Sequence, residues 1–322
     1  MKATVQNEYG TADVLKLDGI DKPGVADNEV LVEVKAAGTH IGDWLVMNGL
    51  PYVIRAMGYG FSKPKNTVLG TEVAGLVASV GKDVQGFQPG DEVFGWASGS
   101  FAEYVAVPED ALALKPANAS FEQAAGLPIS GFTALQAVRD KGEVKSGQKV
   151  MVIGASGGVG SFTVQIAKAF GAEVTGVASA RNAELVVRIG AERFVDYTTQ
   201  DVTETGQQYD VIIDTAGNRS LSHLRTALTS DGTLVIVGGS GGRWLMGSGR
   251  SLRATVSSPF VSQTLRTFIS TPNQEDLLAL KELVESGDVT TVIDRTFPLD
   301  QVPDAMRYIG ARHTQGKTVI TV

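Results

Sequence analysis

Apolar and polar residues follow two rhythms along this chain, and the rhythm changes near residue 123. Before that point the apolar runs are short. Residues 30–34, 72–80 and 102–107 predict strands. They are set apart by the turn signals Lys22-Pro23-Gly24, Gln88-Pro89-Gly90-Asp91 and Val107-Pro108-Glu109-Asp110. Such spacing predicts a barrel-like or sandwich-like β domain. From 123 to about 260, apolar β segments alternate with helical ones. Residues 149–153 predict a strand. Val159, Phe162, Ile166 and Phe170 then recur at the spacing of one helix face, with Gly171 placed to end the helix. Residues 173–178 and 183–189 repeat the strand–helix pair, and 211–214 and 233–237 are further strands of fully buried type. This order predicts an α/β fold, a doubly wound parallel sheet with helices on both faces. Beyond about 260, residues 274–286 predict a helix with Asn273 as its N-cap, 302–309 another helix, and 317–322 a terminal strand. The expected division is a mainly β domain over 1–122 and 266–322 and an α/β domain over 123–265.

Composition narrows the chemistry. The chain has no cysteine, which removes thiolate zinc sites, iron–sulfur clusters, disulfides and cysteine nucleophiles. Its 28 Lys+Arg against 35 Asp+Glu leave a charge of −7 with no basic block, which argues against nucleic acid or an anionic membrane as partner. No apolar run approaches the ~18 residues of a spanning helix, and the start lacks a signal-peptide pattern. A cytoplasmic protein is expected. Glycine is abundant, 38 of 322 residues, and its location matters.

Gly154-Ala155-Ser156-Gly157-Gly158-Val159-Gly160 follows a predicted strand and opens a predicted helix, the setting a phosphate-binding turn requires. Glycine lets the backbone approach a pyrophosphate, and the helix N-terminus adds unpaired N–H groups and partial positive charge. The backbone at Gly154, Gly157, Gly158 and Val159, with the Ser156 hydroxyl, is the expected cradle. The spacing also fits short-chain dehydrogenases. Those enzymes place the loop near the N-terminus with Tyr-x-x-x-Lys downstream, whereas here about 150 residues precede it and the single such pair, Tyr59 and Lys63, lies upstream. The second strand ends in Ser179-Ala180-Arg181, a hydroxyl and a guanidinium where an NAD enzyme carries a carboxylate. Both suit a 2′-phosphate, so the cofactor expected is NADPH. Asp214-Thr215-Ala216-Gly217 and Gly238-Gly239-Ser240 end two further strands, where Thr215, Gly217, Gly238 and Gly239 are expected to meet the nucleotide.

The chain resembles the zinc-independent branch of the medium-chain dehydrogenase/reductase superfamily, the quinone oxidoreductase-like members. The resemblance spans the whole chain. It rests on Val68-Leu69-Gly70-Thr71-Glu72-Val73-Ala74-Gly75, Gly86-Phe87-Gln88-Pro89-Gly90-Asp91-Glu92-Val93, Gly99-Ser100-Phe101-Ala102-Glu103-Tyr104, Gly131-Phe132-Thr133-Ala134, the glycine loop and Gly316-Lys317-Thr318-Val319. It implies a Rossmann domain beside a GroES-like catalytic domain, a cleft between them for the cofactor, and a homodimer. Zinc-using relatives carry Cys in G-x-C-x-x-D and His in G-H-E. Here Gly38-Thr39-His40-Ile41-Gly42-Asp43 has His40 at the first place and Gly70-Thr71-Glu72 has Thr71 at the second. A catalytic zinc needs three good protein ligands, so no metal is expected.

The resemblance also implies roles for single side chains. His40 is expected to hydrogen-bond the substrate oxygen or donate a proton, unless it is a structural histidine. Tyr52 is expected to donate a hydrogen bond. Thr133 would face the nicotinamide, Tyr197 would lie near the adenosine phosphate, and Lys317 would touch the cofactor. Asp43 either shapes the pocket or caps a helix. Metal-free relatives reduce quinones, enones and other activated double bonds, which delocalise the charge of incoming hydride without a Lewis acid. The expected function is NADPH-dependent reduction of such a small electrophile. The alternatives are a zinc-free carbonyl or alcohol oxidoreductase of the same fold, and a non-catalytic NADPH-binding structural or regulatory protein, for which the Gly/Ser/Arg-rich segment 243–253 leaves room.

Overall fold

A computed structural model of the chain describes residues 1–204, 206–237 and 262–322. The strands are β1 (Lys2–Val5), β2 (Lys16–Gly19), β3 (Glu29–Thr39), β4 (Glu72–Val80), β5 (Glu92–Trp96), β6 (Tyr104–Pro108), β7 (Leu112–Leu114) and β8 (Lys149–Ile153). They continue as β9 (Glu173–Ala178), β10 (Arg193–Asp196), β11 (Tyr209–Asp214), β12 (Leu228–Ile236), β13 (Thr264–Thr267), β14 (Ile293–Pro298) and β15 (Lys317–Thr321). The helices are α1 (Ile41–Asn48), α2 (Phe121–Ala125), α3 (Pro128–Gln136), α4 (Gly158–Ala169), α5 (Ala183–Arg188), α6 (Leu221–Arg225), α7 (Gln274–Glu285) and α8 (Val302–Gly310).

Contacts divide the chain into two units. The first comprises Met1–Phe132, Pro272–Gly287 and Thr291–Val322, the second Thr133–Thr271 and Asp288–Thr290. In the first, a seven-stranded sheet runs β14-β15-β3-β4-β5-β7, with β6 also paired to β3. All its pairs are antiparallel except β14 with β15. Its core gathers inward-facing residues of alternate positions, among them Val32, Val34, Val73, Val93, Val105 and Ile320, closed by Met306 and Ile309 of α8. The mainly β expectation for this stretch omitted α1 and a π-helical turn, Arg55–Tyr59.

In the second unit six strands, all parallel, run β10-β9-β8-β11-β12-β13. The chain leaves β8 outward to β9 and β10, then returns to the other side of β8 for β11. This order belongs to dinucleotide-binding sheets, whose ligands sit outside the strand carboxyl ends at the reversal. The central strands β8, β9 and β11 are largely apolar, buried runs, as expected where helices cover both faces of such a sheet. β8 buries its last four residues, and α4 buries Gly160 through Ala167. Among the described residues no helix is long and apolar enough to cross a membrane.

Candidate functional site

Four strand ends converge on the carboxyl edge of the parallel sheet. After β8, the amides of Gly154 and Ala155 both donate to Val177 O of β9, at 3.0 and 3.1 Å, which fastens the glycine loop to its neighbour strand. Gly154 has φ +83°, a backbone region that favours glycine, and a Cβ there would lie 2.5 Å from Thr215 Oγ1. A Cβ on Gly160 would lie 2.0 Å from Gly154 O, so the first turn of α4 rests directly on the loop backbone. Gly157 is the N-cap and has no side chain to close the helix end. The N–H groups of Gly158, Val159 and Gly160 therefore lie in the first turn, where no carbonyl of the helix can reach them. These features fit an anionic phosphate bound by backbone.

Ser156 is buried, and its hydroxyl accepts from Asn182 Nδ2 at 2.9 Å. The same amide reaches Ser179 Oγ at 3.2 Å, just past the end of β9. Arg181 follows, exposed to solvent. Tyr197 follows β10, 47% exposed, with its ring facing the Arg219 guanidinium at 5.7 Å. Thr215 follows β11, and both its amide and its hydroxyl donate to Ile153 O. The buried Asp214 carboxylate accepts from the amides of Ala216 and Gly217 and so fixes that turn, in which Gly217 has φ +69°. Gly238 and Gly239 lie outside the described residues. Thr133 is half-buried in α3, its hydroxyl 2.8 Å from Ser270 Oγ. Asn182 escaped sequence reasoning, which placed Asp214 at a strand end but gave it no role. The signal for Asp214 was its place at the end of an apolar strand. Nothing local marked Asn182.

In the first unit His40 is the N-cap of α1. The Gly42 N–H donates to His40 Nδ1 at 2.9 Å. A Cβ on Gly42 would lie 2.3 Å from the imidazole, so the glycine makes room for the ring. Because Nδ1 accepts, the ring proton sits on Nε2, which donates to Thr71 Oγ1 at 2.6 Å. Thr71 in turn donates to Asp43 Oδ1 at 3.2 Å, and Asp43 Oδ2 accepts the His40 N–H at 2.9 Å. The cluster is a closed circuit. Burial lowers the His40 pKa to about 4 and raises that of Asp43 to about 6. At neutral pH the imidazole is therefore uncharged, with both nitrogens engaged inside the protein. Tyr52 lies four residues beyond the end of α1, with the Arg55 guanidinium 4.9 Å from its ring. Arg55 also covers Tyr9 and donates to Gly49 O.

Lys317 is 2% exposed. Its ammonium lies 2.7 Å from Glu72 Oε2 and 3.1 Å from Ser130 Oγ, and Glu72 Oε1 accepts the Ile129 N–H at 2.8 Å. The lysine expected at the cofactor is committed to a buried carboxylate. Among the described residues no three His, Cys, Asp or Glu side chains gather as a metal site.

Two family models match the chain. "Alcohol dehydrogenase GroES-like domain" covers residues 26–117 and "Zinc-binding dehydrogenase" covers 189–320. A chloroplastic NADPH-dependent alkenal/one oxidoreductase of Arabidopsis thaliana is 35% identical over 99% of the chain and 79% of its own length. The chloroplast envelope quinone oxidoreductase homolog of the same plant is 30% identical, over 99% of the chain and 98% of its own. Among solved structures, the quinone oxidoreductase from Coxiella burnetii superposes with a TM-score of 0.87 at 29% identity, covering 100% of this chain and 99% of that one.

Proposed function

The chain belongs to the quinone oxidoreductase-like branch of the medium-chain dehydrogenase/reductase family, and from that premise we propose that it is a zinc-independent reductase using NADPH to reduce a quinone, an enone or a similar activated double bond. Its similarity to an NADPH-dependent alkenal/one oxidoreductase and a quinone oxidoreductase homolog supports the substrate class. The observation that carries the metal-free part is the His40–Thr71–Asp43 circuit. Both His40 ring nitrogens are engaged by neighbours, Thr71 is a poor ligand, and the chain has no thiolate.

The glycine-loop amides and the open first turn of α4 would hold the pyrophosphate, and Ser156, Ser179 and Arg181 the 2′-phosphate. When bound, NADPH supplies the hydride. The chain's own task is then to place an electron-poor double bond and let its conjugation carry the arriving charge. We assign Tyr52 to hydrogen-bond the substrate oxygen. His40 holds the start of α1. The proposal includes a homodimer, as the resemblance implies.

The test is NADPH consumption with a quinone, an enone, an aldehyde and an alcohol, each with and without chelator. Turnover of the first two alone, unchanged by chelator, is the expected result. Chelator-sensitive alcohol oxidation would overturn the metal-free proposal. NADPH binding without turnover of any of the four would mark a non-catalytic binding protein.

A further inference from the structure

Asn182 is 5% exposed and sits in the turn between β9 and α5. Its amide nitrogen donates to two hydroxyl oxygens, Ser156 Oγ at 2.9 Å and Ser179 Oγ at 3.2 Å. A hydroxyl has one proton to give and two lone pairs to accept with. Both serine oxygens accept from the amide, so both serine protons are left to point elsewhere. The serines come from different strand ends, one in the glycine loop after β8 and one directly after β9. A single buried amide therefore sets the polarity of two hydroxyls on adjacent strands. In a sheet of this order the end of the second strand is where the adenosine ribose is read.

We propose that Asn182 is a specificity-determining positioning residue, which holds Ser156 and Ser179 as paired O–H donors for the 2′-phosphate of the cofactor. The inference rests on the NADPH reading above. An amide suits the task and a carboxylate does not. Asn182→Asp keeps the size and shape but, when ionised, offers acceptors only. The serine protons would turn inward to it, and the site would present lone pairs and a negative charge to an anion. Asn182→Ala removes the orienting group without adding charge, so its effect is smaller. If the amide only ties the loop to β9, either variant weakens every adenine nucleotide alike.

The experiment is calorimetric binding of 2′,5′-ADP and of 5′-AMP, which differ by the 2′-phosphate, to wild type, Asn182→Asp and Asn182→Ala. The wild type is expected to favour 2′,5′-ADP. Asn182→Asp is expected to lose about tenfold or more of that preference, from one to two charge-assisted hydrogen bonds, with 5′-AMP affinity kept and Asn182→Ala between. A wild-type preference that survives Asn182→Asp overturns the inference and leaves the cofactor reading standing. A parallel loss for both nucleotides also overturns it, as the mark of a structural role. A wild type with no preference overturns the NADPH reading and the inference with it.

Discussion

Replacing Lys317 by methionine separates two roles for that residue. The ammonium is buried against Glu72, whose side chain is 0% exposed, with Ser130 and the Ile129 amide completing the shell. The pair joins β15 to β4 and the start of α3. As a pair it adds little to net stability, because bringing two ions out of water costs about what their attraction returns. Breaking it is another matter. Lys317→Met keeps most of the stem but leaves a carboxylate in a site that a Cβ on Gly38 would approach to 2.6 Å. An uncompensated buried charge costs about 3–5 kcal/mol, a large part of a typical stability of about 5–15 kcal/mol. With a urea slope of about 1–3 kcal/mol per molar, the midpoint falls by about 1 M or more. The double variant Glu72→Gln/Lys317→Met carries no buried charge and can still accept the Ile129 N–H, so it recovers most of the loss. Unfolding followed by fluorescence reports on this unit through Trp96, whose ring meets Phe132 edge-on at 5.5 Å. NADPH affinity of the folded variant is expected to stay close to that of the wild type, since the ammonium is engaged by Glu72 and Ser130. A variant as stable as wild type that has lost NADPH binding would refute the reasoning and give the ammonium to the cofactor.

Two further outcomes follow from the geometry. Gly157 has an ordinary φ of −80°, and a Cβ there meets only Gly154 O at 3.4 Å. Gly157→Ala is therefore expected to hold stability within about 0.5 kcal/mol while lowering NADPH affinity. Gly160→Ala should lower both. Thermal melts with calorimetry check the pair, and unchanged affinity in Gly157→Ala would remove this backbone from the cradle. The second outcome concerns pH. With His40 held at about 4 against an ordinary 6.5, the folded chain binds fewer protons than the unfolded one between those values, so stability falls as the pH falls. Asp43, raised to about 6 from 3.8, binds more between those values, so its contribution falls as the pH rises. The slopes oppose. Asp43→Asn removes the second, and its urea midpoint relative to wild type should decline from pH 6.5 towards 4. A constant difference would refute the assignment.

Four strands of the parallel sheet, β8, β9, β11 and β12, were legible because each carries a short buried apolar run; the edge strands β10 and β13 are half open and carry no such run. Much of the β unit was not legible. The strand expected over 30–34 runs on to Thr39 as β3, through Ala36, Ala37 and Gly38. Those positions look too small for a strand. They are small because a Cβ on Gly38 would lie 2.2 Å from Ala125 O, so close packing, not β propensity, chose them. The first helix was hidden for a related reason. Its N-cap is a histidine, outside the usual Ser, Thr, Asp and Asn, and it caps by folding its ring over Gly42. The strand β14 alternates weakly because it is an edge strand with half its residues open to water.

The same contrast separates the two halves of the candidate site. The nucleotide cradle is built from backbone within seven consecutive residues, and backbone chemistry is local, so glycine spacing after a strand reports it directly. The His40 cluster is tertiary. Thr71 lies 31 residues from His40, and only the resemblance to the zinc-ligand places of zinc-using relatives brings the two together; no local pattern shows the hydrogen bonds that join them. In isolation a histidine and an aspartate three apart suggest acid–base work. One backbone N–H decides otherwise. By donating to Nδ1, Gly42 fixes the tautomer, the tautomer makes Nε2 a donor to Thr71, and Thr71 then has its own proton for Asp43. To act as an acid this histidine would first take a proton on Nδ1, which breaks its bond to the Gly42 N–H at the start of α1. Gly42 thus sets the tautomer of the ring it accommodates, and the proton source expected for the reduction is water or another weak acid.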